Sequence, residues 1–193
     1  MSEQVRQAQA WLREIGFKVA GRPIEVDGRL GPQTKRATTC FQFGWTPTKL
    51  ATDGIPGPLT LTALEQSAAW GQRPSEHFRF LEFASRGNGE IWIDRELVLK
   101  LEQLREVTGP VFIASGYRDP SYNRSIGGAK ASQHLYGRAV DPKFTRHVGL
   151  DEVRALGLFS GIGHRPAVGN RVEHVDIRPS ATPAAPTVWT YPR

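Results

Sequence analysis

Val5, Ala8, Trp11, Leu12 and Ile15 recur at the three- and four-residue spacing of one helix face, so residues 3–15 are predicted to form an amphipathic helix. Residues 34–43 and 58–69 carry two further helical stretches, each introduced by a version of the same octapeptide. Asp27-Gly28-Arg29-Leu30-Gly31-Pro32-Gln33-Thr34 returns 26 residues later as Asp53-Gly54-Ile55-Pro56-Gly57-Pro58-Leu59-Thr60. Asp-Gly supplies a reversal, and Gly-Pro opens a helix because proline is tolerated at the first helical position. Residues 1–70 are therefore expected to make an all-α three-helix domain, near the lower size limit for a self-sufficient core. Such a repeat is usually architectural, and Trp11, Phe41 and Trp45 are expected in the core rather than as sugar platforms.

The pattern then changes. Gly71-Gln72-Arg73-Pro74-Ser75-Glu76 breaks the helical period, and residues 71–79 read as a linker. Residues 83–89 read as a loop. Glu96, Leu97, Leu99, Leu101, Leu104 and Val107 fall in a helix that Gly109-Pro110 ends, and residues 111–115 form a buried strand. Gly137 permits a sharp reversal into a strand at 138–141. Along the strand predicted at 172–177, alternation puts Val172, His174 and Asp176 on one face and Glu173, Val175 and Ile177 on the other. A short helix is predicted at 150–158. The tail at 179–186 is irregular, with Trp189 and Tyr191 packing back onto the domain. Residues 80–193 are thus expected to be α+β, a small mostly antiparallel sheet with helices to one side.

His134, Asp141 and His174 carry candidate chemistry. Two imidazoles and a carboxylate suit a catalytic zinc ion, because three protein ligands leave the fourth position open for water. Structural zinc sites are usually closed by four ligands rich in cysteine, and this chain has only Cys40. On a continuous helix His134 and Asp141 would lie ~10 Å apart along the axis, too far for one metal, so that segment must bend. Asp141 and His174 can approach from neighbouring strands, with His134 reaching in from a loop. Spacing alone leaves scattered, unrelated residues as an alternative.

The flanking residues extend the pattern. Ile113-Ala114-Ser115-Gly116-Tyr117-Arg118-Asp119-Pro120, then Tyr122-Asn123, Gly127-Gly128, the run from Ser132 to Asp141, and His174-Val175-Asp176 follow in order. Over roughly residues 80–178 this series resembles the zinc-dependent D-alanyl-D-alanine carboxypeptidase family. That family includes D,D-dipeptidases, phage-lysin L-alanyl-D-glutamate endopeptidases and, distantly, the hedgehog domain. The resemblance implies Zn2+ on His134, Asp141 and His174. It also implies an Arg118 that polarises the substrate carbonyl and stabilises the oxyanion, and a Ser132 that orients substrate. Many members carry an acidic general base three residues before the last histidine. Here that residue is Arg171, which cannot be deprotonated. Asp176 and Glu173 are the candidate bases. Asp176 shares the His174 face but suits an imidazole-orienting role equally, Glu173 needs a bulge to turn inwards, and His164, in the loop before, is a third candidate.

Gln9, Trp11, Gly16-Phe17, the two octapeptides and Phe41-Gln42 resemble the peptidoglycan-binding domain that accompanies many cell-wall hydrolases, across residues 4–66. The same fold also serves as a pro-domain in matrix metalloproteases. The two resemblances together imply a zinc metallopeptidase acting on the stem or cross-link of peptidoglycan, as a phage endolysin does. Alternatives are a wall-binding protein with a non-catalytic or structural zinc site, and a hedgehog-like recognition domain. Terminal D-Ala-D-Ala, a D,D-cross-link and L-Ala-D-Glu all stay open as the bond cleaved.

Composition narrows the partners. Apolar residues make up 39% of the 193, yet no run approaches the ~18 that a membrane span needs. The net charge is +6, with eight Lys/Arg against six Asp/Glu in residues 1–70, so a modest basic excess lies on both halves. That suits weak attraction to an anionic wall. Without a dense basic cluster interleaved with aromatics, nucleic acid is not expected. A monomer is expected, and one cysteine permits no internal disulfide. The start, Met-Ser-Glu-Gln-Val, has no apolar leader, which suggests cytoplasmic synthesis followed by release or injection, unless a leader has been removed.

Overall fold

A computed structural model describes residues 2–191 of the chain. Helices α1 (Ser2–Ile15), α2 (Pro32–Gly44) and α3 (Pro58–Ala69) stand where periodicity places them, with Pro32 and Pro58 opening the latter two. A short hairpin, β1 (Lys18–Val19) with β2 (Arg22–Pro23), joins α1 to α2 and has no signal in the apolar pattern. Leu12, Ile15, Phe17, Phe41, Trp45 and Leu64 form the core of this part, so Phe41 and Trp45 are structural. Burial pushes the Cys40 thiol up to about 12, so it stays protonated inside the same core.

The octapeptide repeat has a physical cause. Gln9 of α1 donates to Asp27 Oδ1 (2.7 Å), Arg29 O (3.0 Å) and Thr34 Oγ1 (2.9 Å), and accepts from Gly28 N–H (2.7 Å). Gln42 of α2 does the same one turn later, with Asp53 Oδ1 (2.9 Å), Ile55 O (3.1 Å), Thr60 Oγ1 (3.1 Å) and Gly54 N–H (2.9 Å). Both glutamines are buried. Each Asp-Gly turn is thereby tied to the helix before it and the helix after it by one side-chain amide.

Residues 71–79 break the helix as predicted but do not hang free. Ser67 Oγ donates to Arg73 O, Thr46 N–H to Pro74 O, and His77 N–H to Glu102, while Ser75 and Phe78 are buried. Phe80 and Ile91, beyond this segment, fill the core beneath α1 and α2, where Phe80 meets Phe17 and Phe41 at ring separations of 5.2 and 5.4 Å. Phe43 stacks on Trp92. The two parts of the chain therefore share apolar contacts.

The second part is built on a sheet of order β3-β4-β6-β5-β7: β3 (Val111–Ser115), β4 (Ala139–Phe144), β6 (Arg171–Asp176), β5 (Gly161–Arg165) and β7 (Thr187–Thr190). All neighbours are antiparallel except β5 and β7. Helix α4 (Arg95–Thr108) lays Leu97, Val98, Leu101 and Leu104 against Val140, Ile162, Val172 and Val175 of the sheet. Asp94 caps its start and Gly109 ends it. Two further helices are short: α5 (Pro120–Ser125) and α6 (Leu150–Ala155), the latter ending before the predicted residue 158. Strand β5 corrects the expectation of a loop around His164. Gly161 and Gly163 hide the strand from a propensity reading, and pairing on both edges imposes it.

Gln42→Ala is expected to leave the Gly54 amide and Asp53 without their shared partner and to destabilise the chain by about 1–3 kcal/mol. Chemical denaturation followed by circular dichroism would measure it. An unchanged midpoint would mean that the glutamine does not hold the turn.

Candidate metal centre

His134 lies in a 3-10 turn (Gln133–Tyr136) that ends at Gly137, whose left-handed φ of 66° lets the chain double back into β4. Asp141 is on β4. The β4–β6 register pairs Ala139 with Asp176 and Val140 with Val175, and continuing it sets Asp141 opposite His174. Three segments thus converge as the spacing argument requires.

His134 Nε2, Asp141 Oδ1 and His174 Nδ1 form a nearly equilateral triangle with sides of 3.2, 3.0 and 3.2 Å. Bonds of ~2.0–2.1 Å at tetrahedral angles put zinc ligands ~3.3 Å apart, so the triangle has the size of one tetrahedral face. The far side of each ligand is held. His134 Nδ1 donates to Gly116 O at 2.6 Å, and His174 Nε2 donates to Asp176 Oδ2 at 3.0 Å. Those partners define the tautomers, leaving a lone pair on each facing nitrogen. Asp141 turns Oδ2 to Arg118, whose Nε donates to Ser115. Two lone pairs and a carboxylate oxygen aimed at one point call for a cation, and the donor set fits zinc.

The electrostatics agree. Burial lowers the pKa of His134 and keeps it neutral. Burial also acts downward on His174, but hydrogen bonding to Asp141 and Asp176 outweighs it and raises the net pKa. Burial pushes the Asp176 carboxyl up, yet His174 and Arg178 hold it at about 2. Asp176 is fully buried and tied to the back of His174, which is the geometry of an orienting group.

Glu173 behaves differently. Gly163 pairs with His174 and His164 with Val172, so Glu173 is the extra residue of a β-bulge in β6. Strict alternation, which puts Glu173 on the opposite face, fails here. Glu173 lines a hollow of about 490 Å³ together with Asp141, Arg118, Lys143, Arg86 and Tyr191. Hydrogen bonds from Arg165 and then Arg171 hold its carboxyl at about 2. A second hollow, about 520 Å³, is lined by His134, His174, Ser132, Arg118, Trp189 and Tyr191 among others. His164 is buried on β5 and lines neither hollow. The tail supplies more than packing: the Trp189 ring lies 5.0 Å from that of His174, and Arg178 covers Trp189. Two aromatics near the chain end were the only sequence signal for this.

Zinc and protons compete for His174. Its raised pKa extends that competition above the ordinary ~6.5, and zinc affinity should fall as pH drops through the His174 pKa and below it. Chelator competition across pH would measure this, and a flat profile down to pH 5 would remove His174 from the ligand set. His174→Ala should lose bound metal, scored by elemental analysis.

Comparison with known proteins agrees with this architecture. Residues 76–160 match the family model described as Peptidase M15, and residues 1–64 match that described as "Putative peptidoglycan binding domain". The zinc D-Ala-D-Ala carboxypeptidase of Streptomyces albus G is 32% identical over 153 residues, which cover 72% of this chain and 57% of that protein. The chain thus spans a little over half the length of this relative. The chain is thus similar to a peptidoglycan-binding domain over residues 1–64 and to Peptidase M15 over residues 76–160.

Proposed function

We propose that the chain is a zinc-dependent peptidase that hydrolyses peptide bonds in the stems of peptidoglycan, at a D-Ala-D-Ala type of linkage. The observation that carries this reading is the open triangle of His134, Asp141 and His174 where two hollows meet. The Streptomyces albus G relative, a zinc D-Ala-D-Ala carboxypeptidase, supports the bond class. The Glu173 hollow is basic, since Arg86, Arg118, Lys143 and Arg165 outnumber Asp141 and Glu173, which suits the carboxylates of stem peptides. Residues 1–70, taken as a three-helix unit, would hold the wall, and residues 80–193 would cut it. Because Phe80 and Ile91 sit in the core under α1 and α2, this arrangement offers the cleft from a packed support rather than a loose tether.

Bound zinc lowers the pKa of water from ~15.7 towards 7, supplying a nucleophile at neutral pH. The protein's own groups do the rest. Gly116 and Asp176 hold the two imidazoles, and Arg118 holds the free oxygen of Asp141 while bordering both hollows. Ser132, which lines the second hollow with His134, would orient substrate. Glu173 takes the proton from water and returns it to the leaving amine. Its bulge and its place in the hollow that Asp141 also lines support this role, with Arg165 and Arg171 binding its carboxylate, whereas Asp176 is fully buried behind His174.

Glu173→Gln should therefore lose ~10²–10⁴ in rate with zinc retained. Asp176→Asn should instead weaken zinc binding ~10–100-fold. Mass spectrometry of fragments released from defined peptidoglycan, alongside zinc content, checks both and identifies the bond. A wild-type protein that binds the wall and zinc but releases no fragment would favour a non-catalytic wall-binding protein.

A further inference from the structure

Among the described residues, Arg118 and Tyr191 alone line both of the hollows lined by His134, Asp141 and His174. A peptide laid from one hollow to the other would pass these two side chains. Arg118 already commits Nη2 to Asp141 and Nε to Ser115. Among the described residues, none accepts a hydrogen bond from the Tyr191 hydroxyl. Its phenol accepts a hydrogen bond from Trp189 and feels the charges of Asp141, Arg118 and Glu173. Burial raises its pKa, so the hydroxyl keeps its proton at neutral pH.

The position of Tyr191 is built in. Strand β7 runs parallel to β5, pairing Gly163 with Trp189 and His164 with Thr190, and Tyr191 N–H donates to His164 O at 2.9 Å. Gly163 leaves the space its neighbours need: a Cβ there would come within 2.7 Å of Tyr191 Cε2 and 2.9 Å of Trp189. Trp189 is wedged between the His174 ring and the Arg178 guanidinium. The ring is therefore anchored through the same side chains that hold the metal ligand. The family match ends at residue 160 and assigns nothing to this strand.

We infer that Tyr191 is a catalytic residue whose hydroxyl donates a hydrogen bond to the scissile carbonyl oxygen as it becomes an oxyanion. The inference rests on the peptidase reading above. In that reaction the water oxygen bonds to the carbonyl carbon and the C–N bond breaks. One water proton travels by Glu173 to the leaving nitrogen, and the other stays on the new carboxyl group. Tyr191 gives a hydrogen bond only and keeps its proton throughout.

The test uses the zinc-loaded full chain and an acylated peptide ending in D-Ala-D-Ala. Readouts are kcat, KM, zinc content, thermal midpoint and affinity for a phosphinate analogue of the tetrahedral intermediate. Tyr191→Phe keeps the ring and removes the donor. It should lower kcat by roughly 10²-fold, leave KM and zinc content near normal, and weaken the analogue by the same factor as kcat/KM. Gly163→Ala, which displaces the ring, should show a similar loss. An unchanged kcat in Tyr191→Phe overturns the inference, as does a loss confined to KM or one that tracks zinc content. A wild-type chain that cleaves no peptide overturns the peptidase reading, and the inference falls with it. An active wild type with an active Tyr191→Phe removes Tyr191 alone.

Discussion

Two imidazole lone pairs and a carboxylate oxygen meet within 3.2 Å of one another at the seam of β4 and β6, and without a cation that arrangement is repulsive. Much of the second half of the chain serves to hold it. Gly116 O and Asp176 grip the imidazoles from behind, Arg118 grips the free oxygen of Asp141, and Arg178 satisfies Asp176 in turn. Each partner fixes a tautomer or a rotamer, so the ordering entropy of the ligands is met on folding rather than on metal binding. The antiparallel register places Asp141 beside His174, and α4 packs its apolar face against the sheet.

The support extends past the second half of the chain. Phe80 and Ile91 belong in sequence to the second part of the chain but in space to the core beneath α1 and α2, and Arg36 covers the Trp92 ring from α2. Apolar burial of this kind is non-directional and resists being opened to water. The segment that reads as a linker is a bend whose backbone groups already have partners. A wall-binding surface on such a support would present the cleft at a defined orientation, which a flexible tether cannot do.

The repeat and the bulge show opposite uses of local irregularity. Gln9 and Gln42 each close one Asp-Gly turn with four hydrogen bonds, an architectural duty that explains why the octapeptide recurs. At Glu173 one unpaired residue in β6 breaks regular alternation, and its carboxylate, bound by Arg165 and Arg171, lines a hollow that Asp141 also lines.

Local chemistry was legible in the sequence. Helical period, Gly-Pro starts and the Gly109 stop placed α1 to α4, and ordered motifs marked His134, Asp141 and His174, which the fold brings together. Those signals are short-range, and neighbours along the chain are enough to produce them. Contacts between distant segments decided the rest. β5 exists because β6 and β7 pair with it despite two glycines, and Phe80 joins the opposite core because a hydrophobic side chain carries no address. Glu173, one of the two acidic candidate bases in the sequence, stands at a one-residue register shift. No property of the residue encodes that shift; it arises only when two strands are laid side by side.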